Sequence, residues 1–467
     1  MDAALSEKDR KFREFALEES MWKVVFKVCF PLALYQSLNQ LFKILDTMMA
    51  SHISASAVST VAYLSQINMA ISALGGGLAV GASIKISEAY GAGNFELVKR
   101  RVSTLFALCA VLSFAILAIL IPIAPQFLRM ANTPEEFIEE GTIYFILELI
   151  GLVVVFFNNV YIAIERARGN SNRILLLNVL VIVIKLSLTA YFVYVLKGGI
   201  NYISIATTLS QLSLLLIAVY NMREKGNVFG FSLKAITLRK DVVAPMIKLS
   251  IPVIVEKIAF SLGKVVVNSM STVYGTLTVG ALGISNNIGG ITTNPQNGFQ
   301  EGGSAIISQN LGGGKKKRAL DAFFCVLVMN IIISVILMSA SLLCLNSLAD
   351  LFAAGDEAFG QRIIEIYRME ALGTIPLGVN AAVMAFLYGF GKTKITLLIN
   401  VCRVFAFRIP VLWGLQQFTS LGNVSAGIVM AVSNILTAVM SVIVLFIELH
   451  KMKKKEQVTV HNDNVKQ

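Results

Sequence analysis

The chain has 467 residues, of which 56% are hydrophobic and 15% charged, with a formal net charge of +12. Soluble globular chains carry about 25% charged residues, and a mean hydropathy of +0.72 lies well on the apolar side, so a water-soluble enzyme and a disordered chain are both excluded. The composition reads as an all-α polytopic membrane protein, in which twelve spans of about 20 residues would use roughly half the chain.

Residues 1–20 are charged and lack the apolar stretch and cleavage site of a signal peptide. Residues 1–23 therefore read as a cytoplasmic segment, and Phe12, Phe15, Leu17 and Trp22 give it the look of an interfacial helix. Beyond it, residues 53–84, 102–128, 198–222, 265–300, 322–349 and 409–447 carry no charge and are long enough for one or more crossings. With the stretches broken by single charges, twelve helices are predicted, beginning near residues 24, 56, 102, 140, 174, 202, 248, 279, 320, 363, 394 and 424. The organisation expected is an N-lobe over 24–221, a cytoplasmic linker over 222–247, a C-lobe over 248–449 and a cytoplasmic tail over 450–467.

Most of the 40 Lys and Arg residues fall in the N-tail, the even-to-odd loops and the C-tail, whereas the opposite loops hold Arg129, Lys197 and Arg362. The positive-inside rule then places both termini in the cytoplasm of a cell (plasma or inner) membrane. Lys315, Lys316, Lys317 and Arg318 belong to this topology signal, and no nucleic-acid partner is expected. Cys29, Cys109, Cys325, Cys344 and Cys402 lie in apolar segments without metal or disulfide spacing and read as small core residues.

The chain repeats itself. A shift of 221 aligns Pro31 with Pro252, Gly77 with Gly298, Gly81 with Gly302, Ser83 with Ser304, Gly91 with Gly312 and Gly93 with Gly314. A shift of 222 aligns Gly151 with Gly373, Gly169 with Gly391 and Asn178 with Asn400. Copying six helices preserves orientation, so the halves are parallel repeats, an architecture suited to alternating access with a substrate site between the lobes. The energy source is not ATP: Gly389-Phe390-Gly391-Lys392-Thr393 lacks the first glycine of a phosphate loop, since residue 386 is Phe, and reads as a tight turn. No hydrolytic motif, metal cluster or catalytic constellation is present. The reading is a transporter driven by an ion gradient, not an enzyme, with no cofactor beyond H⁺ or Na⁺.

Charges inside a membrane are costly and usually face a cavity or one another. The embedded cations are Lys43, Lys85, Lys185, Lys257, Lys264, Arg368, Arg403 and Arg408; the acids are Asp46, Glu88, Glu148, Glu256, Glu301 and Glu370. Lys85, Glu88, Glu148, Arg368 and Glu370 read as span-end residues that snorkel. Gln36, Asn39, Lys43 and Asp46, spaced by 3, 4 and 3, form one polar stripe on the first span. Lys257, Ser261, Lys264 and Asn268 repeat it on the seventh, with Lys264 falling on Lys43 under the 221 shift. Such stripes line water or pin helices by intramembrane ion pairs. Lys185 sits too deep in the fifth span to snorkel. Arg403 and Arg408 lie roughly 140° apart on an α-helix, so at most one faces a cavity squarely. Glu301 is the candidate to neutralise a second-lobe cation.

Pro31 and Asp46-Thr47-Met48-Met49-Ala50-Ser51-His52 resemble the first helix of multidrug and toxic compound extrusion (MATE) transporters. So do Gly81 and Tyr90-Gly91-Ala92-Gly93-Asn94, Ser308-Gln309-Asn310-Leu311-Gly312-Gly313-Gly314, Ile205-Ala206-Thr207-Thr208-Leu209-Ser210-Gln211, and Arg403 with Arg408-Ile409-Pro410. The resemblance implies two six-helix bundles around a V-shaped cavity, and antiport in which inward H⁺ or Na⁺ movement drives export of amphipathic organic compounds. It implies that Asp46 is the coupling carboxylate and that Thr207 contributes to the same cation site. In many relatives the fifth helix has Asn followed four residues later by Asp; this chain has Lys185 and Thr189. An ammonium in place of an oxygen ligand repels Na⁺, so H⁺ coupling is favoured, with Lys185 standing where a cation would bind beside Asp46. The expected substrate cavity comprises Gln36, Asn39, Lys43, Glu256, Lys257, Lys264, Asn268, Glu301 and Arg403. The excess of cations over acids keeps an anionic or zwitterionic, lipid-like or metabolite substrate as the alternative, including a flippase of the same superfamily. The partners expected are a small-molecule substrate and the bilayer, around a monomer.

Overall fold

The computed structural model describes residues 5–50, 55–130, 138–223, 227–353 and 356–465; within these the side chains of 42–50, 55–63, 65–66, 139–140, 276, 455–456 and 458–465 are not described. An amphipathic helix α1 (Glu7–Glu18) precedes α2 (Met21–Ala50), α3 (Ala55–Gly91), α4 (Phe95–Leu120), the short α5 (Ala124–Met130), α6 (Ile138–Arg168), α7 (Ser171–Ala190) and α8 (Ile200–Met222). The second half repeats the order with α9 (Lys240–Ser271), α10 (Thr276–Gly312), α11 (Lys316–Leu343) and the short α12 (Leu345–Ala353). It continues with α13 (Glu357–Ala371), α14 (Thr374–Gly389), α15 (Thr393–Val401), α16 (Ile409–Phe418) and α17 (Val424–Val465). A π-helical turn, Tyr191–Val195, extends α7, and another, Cys402–Arg408, joins α15 to α16.

Each predicted span has its helix. The largest differences lie at α4 and α9, which start at Phe95 and Lys240, because the charged first turns outside the apolar stretch are helical too. Among the described residues, eight helices are individually long and apolar enough to cross a bilayer, and the α13–α14 pair, bent by 48°, counts as a ninth. The remaining long helices, α2, α9 and α10, are those that carry prolines inside the helix, Pro31, Pro245, Pro252 and Pro295. Even the short helices obey the duplication, since Ala124 at the start of α5 maps on Leu345 at the start of α12 under the 221 shift. Among the described residues, not every element copies. The helix α6 runs through Gly151, whereas its counterpart breaks between α13 and α14 at Gly373. The glycine-rich stretch after α14 is a turn with Gly391 at φ +68°, matching Gly169 at φ +87° after α6.

The chain packs as two compact units. The first takes Met1–Val265, Asn294–Val326 and Ala385–Leu397, and the second Val266–Thr293, Leu327–Met384 and Leu398–Gln467. The core of the first is built around Leu105, Phe145, Phe156 and Tyr161, and α4 holds the segment before α9: the Ser232 N–H donates to Ser103 Oγ (3.0 Å) and Lys99 Nζ to the Asn227 carbonyl (2.7 Å). The core of the second is built around Ile363, Ile366, Tyr367 and Leu412.

Inside the first unit the repeat becomes a set of paired contacts. Gly77 of α3 lies against Ile254 of α9, and Gly298 of α10 against Ala33 of α2, which is the same contact shifted by 221 on both sides. Gly81 meets Ser250 while Gly302 meets Cys29; Gly91 meets the Gln309 carbonyl while Gly312 meets the Glu88 carbonyl. Every partner obeys the same shift, so a local two-fold relates α2 and α3 to α9 and α10. A β-carbon at any of these glycines would overlap the neighbouring helix, which is why small residues are required where backbones approach this closely.

Differences from the sequence reading are local. Residues 7–18 form a helix docked on the protein, with Asp9 only 3% exposed, so it does not simply lie in an interface. Beyond its end, the Glu19 carboxyl accepts from the Ser20 N–H (2.9 Å) and is held below the usual carboxylate range by that bond and by Lys23. Cys29, Cys109 and Cys325 are buried, but Cys344, in the turn between α11 and α12, is exposed.

Candidate functional site

In the first unit, α7 packs against both α2 and α8, so the helix bearing Lys185 and Thr189 lies beside the one bearing Asp46 and the one bearing Thr207. Lys185 is half-buried. Thr189 is fully buried and its Oγ1 has no hydrogen-bond partner among the described residues. Thr207 donates to the Ile203 carbonyl one turn back (3.0 Å). Lys43 and Asp46 belong to α2, but their side chains lie outside the described residues.

The upper part of the α2 stripe is placed. Gln36 Nε2 donates to Glu301 Oε2 (3.4 Å), and Asn39 reaches the Tyr35 hydroxyl. Glu301 itself takes an ion pair from Arg166 of α6, Nη2 to Oε2 at 2.6 Å, with the two side chains 9% and 22% exposed. The partner is thus a first-repeat arginine, not a second-lobe cation. By sequence Arg166 is only a topology charge at a span end, because nothing local distinguishes it from Arg168 or Arg173. The repeat contains the missing signal: Arg166 lies three residues before Gly169, and Tyr388 lies three before Gly391. Tyr388 also holds a carboxylate, its hydroxyl donating to Glu256 Oε1 (2.6 Å) while Thr396 Oγ1 donates to Oε2 (2.8 Å). Both copies of this position therefore engage an embedded acid, supplied by α10 in one case and by α9 in the other. Lys264 sits over the Phe260 ring at 5.1 Å. Lys257 and Asn268 of α9 are exposed, whereas Glu256 is buried.

Of the residues read as span-end charges, three have partners within the first unit. Lys85 pairs with Glu88 at 2.5 Å, and Glu148 accepts from Asn68 Nδ2 at 3.3 Å. Glu370 accepts from Ser285 within the second unit and lies within Coulombic reach of Arg403 and Arg408. The two arginines depart from the α-helical separation of roughly 140°. They lie in the π-helical segment Cys402–Arg408, whose i→i+5 closure brings residues five apart closer to one face than an α-helix does. Arg403 Nη2 (2.9 Å) and Arg408 Nη2 (3.3 Å) both donate to Asn434 Oδ1, and Arg408 Nε donates to Ser433 Oγ (3.2 Å). Both guanidinium groups thus converge on one amide oxygen of α17, with one carboxylate nearby.

Comparison with known proteins agrees with the fold. The sequence model of the MatE family matches residues 31–191 and 252–414, two stretches whose starts are offset by the same 221 residues as the internal repeat. Probable multidrug resistance protein YoeA of Bacillus subtilis (strain 168) is 22% identical over 411 residues, covering 86% of this chain and 88% of its own. Probable multidrug resistance protein NorM of Thermotoga maritima is 22% identical over 422 residues, covering 87% and 88%. A crystal structure of MATE in complex with MaL6 superposes with a TM-score of 0.90 at 19% identity, covering 96% of this chain and 100% of that one. A transporter from Pyrococcus furiosus, described as having a binding pocket of reverse polarity that suggests a different function, gives the same TM-score at 19% identity, covering 96% and 99%. With the family model spanning well over half of the chain, the protein belongs to the MatE family of multi-pass membrane transporters.

Proposed function

We propose that the protein is a proton-coupled exporter of amphipathic organic compounds that works by alternating access in the cell membrane, with both termini cytoplasmic. The observation that carries the choice of proton over Na⁺ is Lys185. It is half-buried on a helix packed against α2, where many relatives have an oxygen ligand. A fixed ammonium there supplies the positive charge that Na⁺ would otherwise bring, and repels the ion. Asp46 then takes and releases the coupling proton, and formation of the Asp46–Lys185 pair marks the deprotonated state. Two bacterial relatives named as probable multidrug resistance proteins support organic compounds as the cargo.

Paired contacts at the α3 and α10 ends belong to a state closed on the side that bears α1, which the charge distribution assigns to the cytoplasm. A second reading, export of an anionic or zwitterionic amphiphile, is favoured by the convergence of Arg403 and Arg408 on Asn434. The test is dye accumulation in a drug-sensitive bacterial host carrying wild type, Asp46→Asn or empty vector, with a protonophore arm and expression checked by immunoblot. Lower accumulation with wild type, abolished by both the substitution and the protonophore, supports the proton-coupled reading. Well-expressed wild type that behaves as empty vector shifts the reading to anionic cargo.

A further inference from the structure

The helix α1 is held by two sets of contacts that differ in kind. Its first turns are bound to the first repeat. Asp9 receives both Nε (2.5 Å) and Nη2 (2.8 Å) of Arg168, and the two side chains are 4% and 8% exposed. The Tyr90 hydroxyl donates to the Asp9 carbonyl (2.7 Å). Arg13 donates to the carbonyls of Tyr90 (3.1 Å) and Gly91 (2.8 Å), the end of α3, and the Phe12 ring covers Gly169. A buried bidentate ion pair of this type is costly to break.

Its last turn is bound to the second repeat. The final carbonyls of a helix have no partner within it and attract positive charge. Here the Ala16 carbonyl accepts from Asn310 Nδ2 (3.4 Å) and Arg318 Nη2 (3.4 Å), the Leu17 carbonyl from Lys315 Nζ (3.0 Å), and the Glu19 carbonyl from Arg318 Nη2 (2.7 Å). Lys315 also lies 3.8 Å from Glu18, with side chains 38% and 71% exposed, and Leu17 rests on Gly313. Apart from the buried Asn310 bond, these contacts are partly or fully exposed, several of them long, and weaker than the Asp9–Arg168 pair. Between the two anchor sets lies the closest approach of the repeats, Gly91 on Gln309 and Gly312 on Glu88.

We propose that α1 is a strap across this contact, fixed to the first repeat and released from the second, and that Lys315 and Arg318 are positioning residues that set the equilibrium of the transport cycle. The proposal rests on the alternating-access reading, in which the α3 and α10 ends must part once per cycle. Parting them with α1 docked on both sides would stretch one anchor set, and the side with the exposed carbonyl bonds yields first. The strap therefore favours the state closed at this end and sets how often it opens.

The test is a distance distribution between spin labels at Glu96→Cys and Lys317→Cys, exposed positions that correspond under the 221 shift. The labels are placed in the full chain in lipid nanodiscs, with the accessible Cys344 and Cys402 replaced by serine. Lys315→Gln/Arg318→Gln raises the ratio of long to short distances about fivefold, as expected for two partly exposed charged bonds. Asp9→Asn, which frees the other anchor, raises it at least as much, and Lys11→Gln, on the outer face of α1, leaves it unchanged. Should Asp9→Asn fail to fold, the double substitution alone decides, because it alters only side chains that α1 does not need for its first anchor. If the double substitution keeps the parent distribution, α1 is a structural tail and the proposal falls. The readout needs no substrate, so a strap that responds in a protein that exports no tested compound counts against the proposed cargo alone.

Discussion

Gly91→Ala places a methyl group where the Gln309 carbonyl oxygen lies, and Gly312→Ala places one against the Glu88 carbonyl. Both obstacles are backbone, which cannot rotate aside, and both glycines are helical, so alanine suits their conformation. The cost is therefore purely the close approach. Overpacking by one methyl costs about 1–3 kcal/mol, and the rigid neighbour puts these sites near the upper part of that range. Because the clash exists only while the two ends touch, about 2 kcal/mol converts to a shift of roughly 30-fold in the ratio of open to closed states. The two substitutions should act alike, since they are copies of one contact. Gly76→Ala is the control: nothing lies within 4 Å of the point its β-carbon would occupy, and a helical alanine there is neutral or stabilising. Distances between labels at positions 96 and 317 report the ratio. A Gly91→Ala protein whose populations stay within twofold of the parent would refute the claim that this contact is the closed state's limiting approach.

Three further outcomes follow from the same geometry. Arg166→Gln leaves the Glu301 carboxylate inside the helices without its cation and should destabilise by on the order of 3 kcal/mol; Arg166→Gln/Glu301→Gln should recover most of that in detergent melting curves, and a fully additive loss would show that the 2.6 Å pair is not coupled. Asn434→Ala removes the oxygen shared by Arg403 and Arg408, with an expected loss of about 1–3 kcal/mol; an unchanged melting temperature would mean that the π-segment holds both guanidinium groups without it. Lys185→Asn restores an oxygen donor on α7 and should make transport respond to Na⁺, read as drug efflux with and without a Na⁺ gradient; identical ion dependence in the two proteins would dismiss the role assigned to Lys185.

Helix positions were legible because twenty-residue apolar stretches and flanking charges are local features. The duplication was legible as well, and it carried further than the spans. Glycines aligned only by number, 77 with 298, 81 with 302 and 91 with 312, turned out to occupy equivalent contacts. What escaped depends on geometry that spacing does not encode. The relation of Arg403 to Arg408 was drawn with α-helical rotation, and the π-helical segment Cys402–Arg408 changed which partners they share. Arg166 and Arg168 looked like loop charges, yet each is less than a tenth exposed and joined to an acid far away in the chain, Glu301 and Asp9. Tertiary partners of this kind leave no periodic trace. For Tyr388 a trace did exist, in its correspondence with Arg166, but only once the repeat was read residue by residue.

In the proposed cycle, a proton bound and released at the first-repeat site drives export. The most direct measurement is proton flux in proteoliposomes of the purified protein, with a pH-sensitive dye inside and an exported compound added across an imposed gradient. Proton movement that needs the compound, ignores Na⁺ and disappears in Asp46→Asn is the predicted result. Proton movement that persists in Asp46→Asn, or compound movement driven only by Na⁺, would contradict it.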